Sequence, residues 1–297
     1  MNIFTATGHF SSLVRTLFRE QGSVEILPPR ERWEKLSTID LLVFTGGEDI
    51  APRRYGQENT NSYGINTERD QLEFDILKAA KTGKLPVKKI LGICRGIQLL
   101  NSSFGGSLTQ DIFAETGKRP RPTHPLRFLA DFPLTSTNFP VVNSMHHQAV
   151  KYVGESYPYK IIAVDANTEN LEIVLWEDRF LGVQFHPEFM SPNSLHAKTF
   201  SAMIDAWISG MSLNRKSALW SKENFKDPKK EKKVQEEKIS TEFTKETQKR
   251  VTYAWDETAR TPSPNPSMNA RTASLFGDLN SSRFSELLRE ESEEDNV

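Results

Sequence analysis

From Asn2 to about Gly210 short apolar runs alternate with amphipathic segments, and this alternation limits the possible folds more than any other feature of the chain. The runs NIFTAT, DLLVFTGG, KKILGIC, YKIIAVDA, LEIVLWED and FLGVQFHPE have strand length and are bounded by Gly, Pro or polar residues. Between them, SSLVRTLFREQG, ERDQLEFDILKAAKTG, GIQLLNSSFGG and SLHAKTFSAMIDAWISG space their apolar residues helically, with Gly83 and Gly210 as stops. The early strand-helix-strand order requires crossovers that cover a sheet with helices, hence parallel pairing. VVNSMH, KIIAVDA, LEIVLW and FLGVQF can add an antiparallel part. The expected fold is α/β: a mostly parallel central sheet flanked by helices, with a small antiparallel extension.

Beyond Gly210 the pattern stops. KENFKDPKKEKKVQEEKISTEFTKETQKR is charge-dense, and TPSPNPSMNARTAS is rich in Pro, Ser, Thr and Asn, so neither can bury enough apolar surface to offset ordering entropy. The expected division is residues 1–210 as a folded domain and residues 211–297 as a largely disordered tail. Phe284, Leu287 and Leu288 have the spacing of a short helix, either transient or a docking segment for a protein partner. The Lys-rich stretch from Lys226 to Lys238 is interleaved with Glu and the whole chain carries a net charge of −1, so nucleic acid is not expected as a partner.

One cysteine excludes an internal disulfide and fits a reducing compartment. No apolar run approaches the roughly 18 to 20 residues of a membrane helix, and the first residues lack the charged start and apolar stretch of a signal peptide. A soluble, cytoplasmic protein is expected, with no membrane contact and with its oligomeric state open.

The lone cysteine is Cys94, in ILGICRGIQLLNSSFGG. Val87 to Ile93 reads as a buried strand and Gly96 onward as a helix, so Cys94 sits at a strand-to-helix turn at the carboxyl edge of the sheet. Gly92 and Gly96 flank it as glycines flank the nucleophile of a G-x-S-x-G elbow. The helix N-terminus favours the thiolate. A base is available at FLGVQFHPEF, where His186 lies just past a predicted strand and Glu188, two residues on in an extended segment, projects to the same side. Gly46 and Gly47 end another predicted strand, where backbone N–H groups can approach a bound carbonyl; with the N–H of Arg95 they can form an oxyanion hole. Each feature alone has an ordinary structural explanation; all three at predicted strand ends point to nucleophilic catalysis.

G-I-C-R-G-x-Q-x-x-N, the following G-G-x-L-x-Q-D, N-S-x-H-H-Q and G-V-Q-F-H-P-E together resemble the class I glutamine amidotransferase-like superfamily, and within it the γ-glutamyl-γ-aminobutyrate hydrolase-like peptidase branch. The resemblance runs from about Asn2 to Gly210 and implies a flavodoxin-like sheet. It also implies that Cys94 is the nucleophile, His186 the general base and acid, and Glu188 the residue that orients the histidine. Gly47 and Arg95 match the oxyanion positions, and Gln98, His146 and Gly46 match substrate-binding positions. His147 is read as structural or exposed, whereas Arg69 and Asp70 in ERDQLE are equally open to a salt bridge and to a substrate role.

The activity implied is cysteine-dependent hydrolysis of a γ-glutamyl amide on a small molecule, without metal or organic cofactor. His9, His124, His146, His147, His186 and His196 do not fall into a metal-ligand spacing, and a G-x-x-x-x-G-K-[ST] phosphate loop is absent. Two alternatives remain: a glutaminase subunit passing ammonia to a separate synthetase, and a non-catalytic scaffold that works through its tail.

Overall fold

A computed structural model describes residues 1–118, 121–130, 141–151 and 159–210. The expected tail over residues 211–297, with its Phe284, Leu287 and Leu288 segment, lies outside the described residues.

The chain begins β1 (Asn2–Thr5), α1 (Ser11–Leu17), β2 (Ser23–Ile26), β3 (Ile39–Phe44), α2 (Thr67–Lys81), β4 (Val87–Ile93), α3 (Arg95–Ser103). After the short β5 (Leu108–Thr109) and α4 (Ile112–Thr116) come β6 (Thr123–Phe128), β7 (Val141–Asn143) and β8 (Ala149–Val150). The meander β9 (Tyr159–Asp165), β10 (Leu171–Trp176) and β11 (Phe180–Val183) follows, and α5 (Leu195–Ile208) closes the described part.

Nine strands form one sheet in the order β2-β1-β3-β4-β11-β10-β9-β6-β7, and β5 pairs separately with β8. β2, β1, β3, β4 and β11 are mutually parallel, and every pairing from β11 through β10, β9 and β6 to β7 is antiparallel. The expected α/β architecture is present, and its antiparallel part extends as far as its parallel part. The additional strand is β6, THPLRF, whose buried positions His124 and Leu126 alternate with exposed ones.

The period of two in the central strands divides the core between the sheet's faces. Leu41, Val43, Leu91 and Ile93 pack with Val14, Phe18, Phe200 and Ile204, beneath α1 and α5. Leu42, Phe44 and Ile90 pack with Ile76 and Leu77 of α2 and with Ile97 and Leu100 of α3. Helix α3 lies so close to β11 that a Cβ at Gly182 would come within 2.3 Å of Ile97 Cγ1. That approach fixes where the first turn of α3, and the residue before it, can sit.

Candidate active site

β3, β4 and β11 are adjacent and parallel, so the loops at their carboxyl ends emerge side by side, where open α/β sheets bind ligands. Gly46–Gly47, Cys94 and His186 follow those three strands. The register pairs Phe44 with Gly92 and Ile93 with Val183, and the Cys94 N–H donates to the Val183 carbonyl at 2.8 Å.

Cys94 caps the N-terminus of α3 with φ 52° and ψ −103°, a left-handed conformation for a residue with a side chain. Such strain costs about 1–3 kcal/mol and persists only where the surroundings enforce it. The enforcement is visible at the neighbouring glycines. A Cβ at Gly92 would meet the Gly96 carbonyl at 2.4 Å, and one at Gly96 would meet the Phe44 carbonyl oxygen at 2.3 Å. The elbow therefore closes only with glycine on both sides, as the G-x-C-x-G pattern suggests.

His186 Nδ1 and Glu188 Oε1 are 2.7 Å apart, both side chains buried. The expected contact is made by a different backbone. Pro187–Phe189 form a 3-10 turn with His186 as its cap, so the pair meets across a turn rather than along an extended segment. Burial by itself lowers the His186 pKa; the charges of Cys94 and Glu188, and hydrogen bonds to both, outweigh it and hold the imidazole at about 10. His186 is thus favoured as an imidazolium. The rings of Phe10 and Phe189 pack against the imidazole at centroid distances of 6.5 and 5.1 Å.

Two residues that the sequence motifs contain, but that sequence reasoning left without a role, complete this arrangement. Asn143 Nδ2 donates to the His186 carbonyl at 2.8 Å, and the His186 N–H donates to Asn143 Oδ1 at 2.7 Å, a two-point clamp on the histidine backbone. Gln184 Nε2 donates to Cys94 Sγ at 3.7 Å, and Gln98 Nε2 donates to Gln184 Oε1 at 3.5 Å. Gln98, expected near substrate, thus turns its amide toward Gln184.

Gly46 lies against Cys94 and His186: a Cβ there would stand 2.6 Å from His186 Cε1 and 3.5 Å from Cys94 Cβ. Gly47 has φ 139°, open to glycine, and a Cβ there would be 2.1 Å from Arg69 Nη1. Arg69 and Asp70 are buried, and the structure gives them ion-pair partners. Arg69 binds Glu48 at 2.7 Å and Glu73 at 2.9 Å, while Arg95 binds both Asp70 and Glu73. Glu73, the last residue of ERDQLE, joins the two arginines.

A profile of the peptidase C26 family matches residues 12–188, a span that includes Cys94, His186 and Glu188. The chain belongs to the peptidase C26 family. This family is class I glutamine amidotransferase-like, and its members are enzymes of hydrolase or amidotransferase type. The chain is 34% identical over 189 residues to the "Putative glutamine amidotransferase-like protein YvdE" of Lactococcus lactis, covering 58% of this chain and 77% of that one. It is 33% identical over 196 residues to the "Putative glutamine amidotransferase PB2B2.05" of Schizosaccharomyces pombe, covering 61% and 75% respectively. A solved structure described as a "putative gmp synthase subunit a protein" from Thermoplasma acidophilum aligns over 70% of this chain and 94% of its own, at 19% identity and a TM-score of 0.48.

In this peptidase C26 protein His146, His124 and His147 have partners of their own. The His146 side chain is buried, with Nδ1 2.9 Å from the Gln148 carbonyl and Nε2 3.1 Å from Ser144 Oγ. Its Nε2 is also 3.7 Å from Glu172 Oε1, which in turn lies 3.4 Å from His124 Nε2. Burial drives the His146 pKa down to about 3, so His146 is a neutral imidazole. Glu172 is the extra residue of a β-bulge between β10 and β9, and burial raises its carboxyl pKa. A glutamate inside the apolar run LEIVLW was the sequence signal for it. His147 stacks on Tyr63 at 4.4 Å and reaches Asp49 at 3.0 Å, in keeping with the structural reading. Among the described residues there is no group of three or more His, Cys, Asp or Glu able to hold a metal ion, and no helix long and apolar enough to cross a membrane.

Proposed function

We propose that this chain is a cysteine-dependent hydrolase of γ-glutamyl amide bonds acting through Cys94, His186 and Glu188. The observation that carries the reading is a strained cysteine at a helix N-terminus beside a buried imidazole that is itself bound to a carboxylate 2.7 Å away. In this reading the Cys94 thiolate attacks the γ-carbonyl carbon and forms the C–S bond. The oxyanion is held by the N–H groups of Gly47 and Arg95. His186 gives its proton to the nitrogen as the C–N bond breaks, and the amine leaves. Water, deprotonated by the now neutral His186, attacks the thioester; breaking the C–S bond restores the thiolate beside the imidazolium, and the γ-carboxylic acid loses its proton to solvent as it leaves.

Residues 1–210 are taken as the catalytic domain of a cytoplasmic enzyme, and residues 211–297 as a tail available to a protein partner. Gln98, His146 and Gly46 keep their proposed places around the γ-glutamyl group, with Gln98 also ordering Gln184. The similarity to proteins described as glutamine amidotransferases supports amide chemistry and leaves the departing amine open.

The test is incubation of the purified chain with L-glutamine and γ-glutamyl-p-nitroanilide, together with mass-spectrometric search for a 6-diazo-5-oxo-L-norleucine adduct on Cys94. Hydrolysis and a single adduct at Cys94, both lost in Cys94→Ser, are expected. A chain that neither hydrolyses these probes nor forms the adduct overturns the proposal. Hydrolysis only after a second polypeptide is added would replace it with ammonia supply to a synthetase.

A further inference from the structure

We infer that the buried ion network Arg69–Glu73–Arg95–Asp70 sets the geometry of the oxyanion hole, with Arg69 as the positioning residue that aims the Gly47 N–H. The inference rests on the catalytic reading above and concerns residues that do not touch the reacting atoms.

The argument is stereochemical. Arg69 Nη2 donates to the Gly46 carbonyl at 2.9 Å and approaches the Thr45 carbonyl at 3.3 Å. In a trans peptide the C=O and the next N–H point in opposite directions. Holding the Gly46 oxygen against Arg69 therefore turns the Gly47 N–H away from Arg69. The guanidinium cannot swing, because Nε is bound to Glu73 at 2.9 Å and Nη1 to Glu48 at 2.7 Å. Gly47, with no Cβ, lets the guanidinium close directly onto the loop.

The other half of the hole is tied to the same acids. Arg95 supplies its main-chain N–H next to the nucleophile, while its side chain binds Glu73 and Asp70. Asp70 in turn accepts from the Ala51 N–H at 2.9 Å, anchoring the far end of the loop that begins at Gly46. Glu73 thus bridges the arginine that holds one donor and the arginine whose own backbone is the other. Relative exposures of 4%, 0%, 0% and 1% for Arg69, Asp70, Glu73 and Arg95 leave no room for solvent to supply this order. Buried ion networks seldom stabilise a fold more than apolar packing of equal volume does, so four buried charges imply a geometric task.

The experiment compares two reactions of Cys94 in the full chain. Acylation by p-nitrophenyl acetate passes through an oxyanion but needs no γ-glutamyl recognition; alkylation by iodoacetamide needs the thiolate but no oxyanion hole. Arg69→Lys keeps the charge and loses the planar fork. Loss of one oxyanion donor costs about 100- to 1,000-fold, so a mis-aimed donor is expected to slow acylation by about 10- to 100-fold. Alkylation and its pH profile should stay within about twofold. Glu73→Gln keeps the shape and provides the same comparison if Arg69→Lys does not fold. An equal fall in both reactions, or no fall in acylation by a folded variant, overturns the inference. If the wild type is acylated by the ester but inert to γ-glutamyl probes, the substrate proposal fails while the inference is still decided by the variants.

Discussion

Replacing Glu188 by Gln isolates the electrostatic part of the His186 contact. The side chain keeps its length and an amide oxygen that can accept from His186 Nδ1, but it loses the charge 2.7 Å from the ring. Glu188 Oε2 has no hydrogen-bond partner among the described residues, so the substitution breaks no second hydrogen bond there. A hydrogen bond to a charged group contributes about 1.5–3 kcal/mol and a neutral one about 0.5–1.5, so about 1–2 kcal/mol of imidazolium stabilisation is lost. At 1.36 kcal/mol per unit this lowers the His186 pKa by about one unit. The wild-type value of about 10 lies above that of a free imidazole, so the protonated state and its stabilisation are complete below about pH 6.5 and disappear as pH rises through 10. The alkaline limb of the kcat/KM profile for γ-glutamyl-p-nitroanilide should therefore move down by about one unit in Glu188→Gln. The amide can also present its NH2 to Nδ1 and favour the wrong tautomer, so kcat should fall by about 100- to 10,000-fold. An unmoved alkaline limb with kcat within threefold of wild type would refute the assigned role of Glu188.

Gly96→Ala places a methyl group 2.3 Å from the Phe44 carbonyl oxygen, so a loss of at least about 1–3 kcal/mol is expected, measured as a lower denaturant midpoint at unchanged slope. Asn143→Ala removes two buried hydrogen bonds to the His186 backbone; turnover should fall by about tenfold or more while iodoacetamide still labels Cys94. Gln184→Leu removes the donor to Cys94 Sγ, and the rate of iodoacetamide alkylation at neutral pH should fall by about two- to tenfold, with an unchanged rate counting against a role for this contact.

Much of the site was legible because each of its parts is local in sequence. Cys94 between Gly92 and Gly96 announces a tight elbow, since only glycine leaves space for the Gly96 carbonyl and for Phe44. His186 and Glu188 are two residues apart, and the proline between them forces a turn that brings them together. The fold class followed from apolar runs that alternate with helical patterns. The weak strands were hidden for the opposite reason. β2 buries only Val24, and β6 places the polar His124 at a buried position, so neither has the apolar period that marks a strand.

What the sequence by itself determined is therefore the alternation that requires an α/β sheet, the glycines that permit the elbow, and the identities of thiol, imidazole and carboxylate. The tertiary structure decided which distant groups meet. Strand order brings Gln184 to Cys94 across 90 residues, Asn143 to His186 across 43, and Arg69 to the Gly46 carbonyl across 23. Periodicity and propensity report only neighbours along the chain, whereas these contacts depend on β11 inserting beside β4 and on α2 delivering three buried charges to the loop after β3.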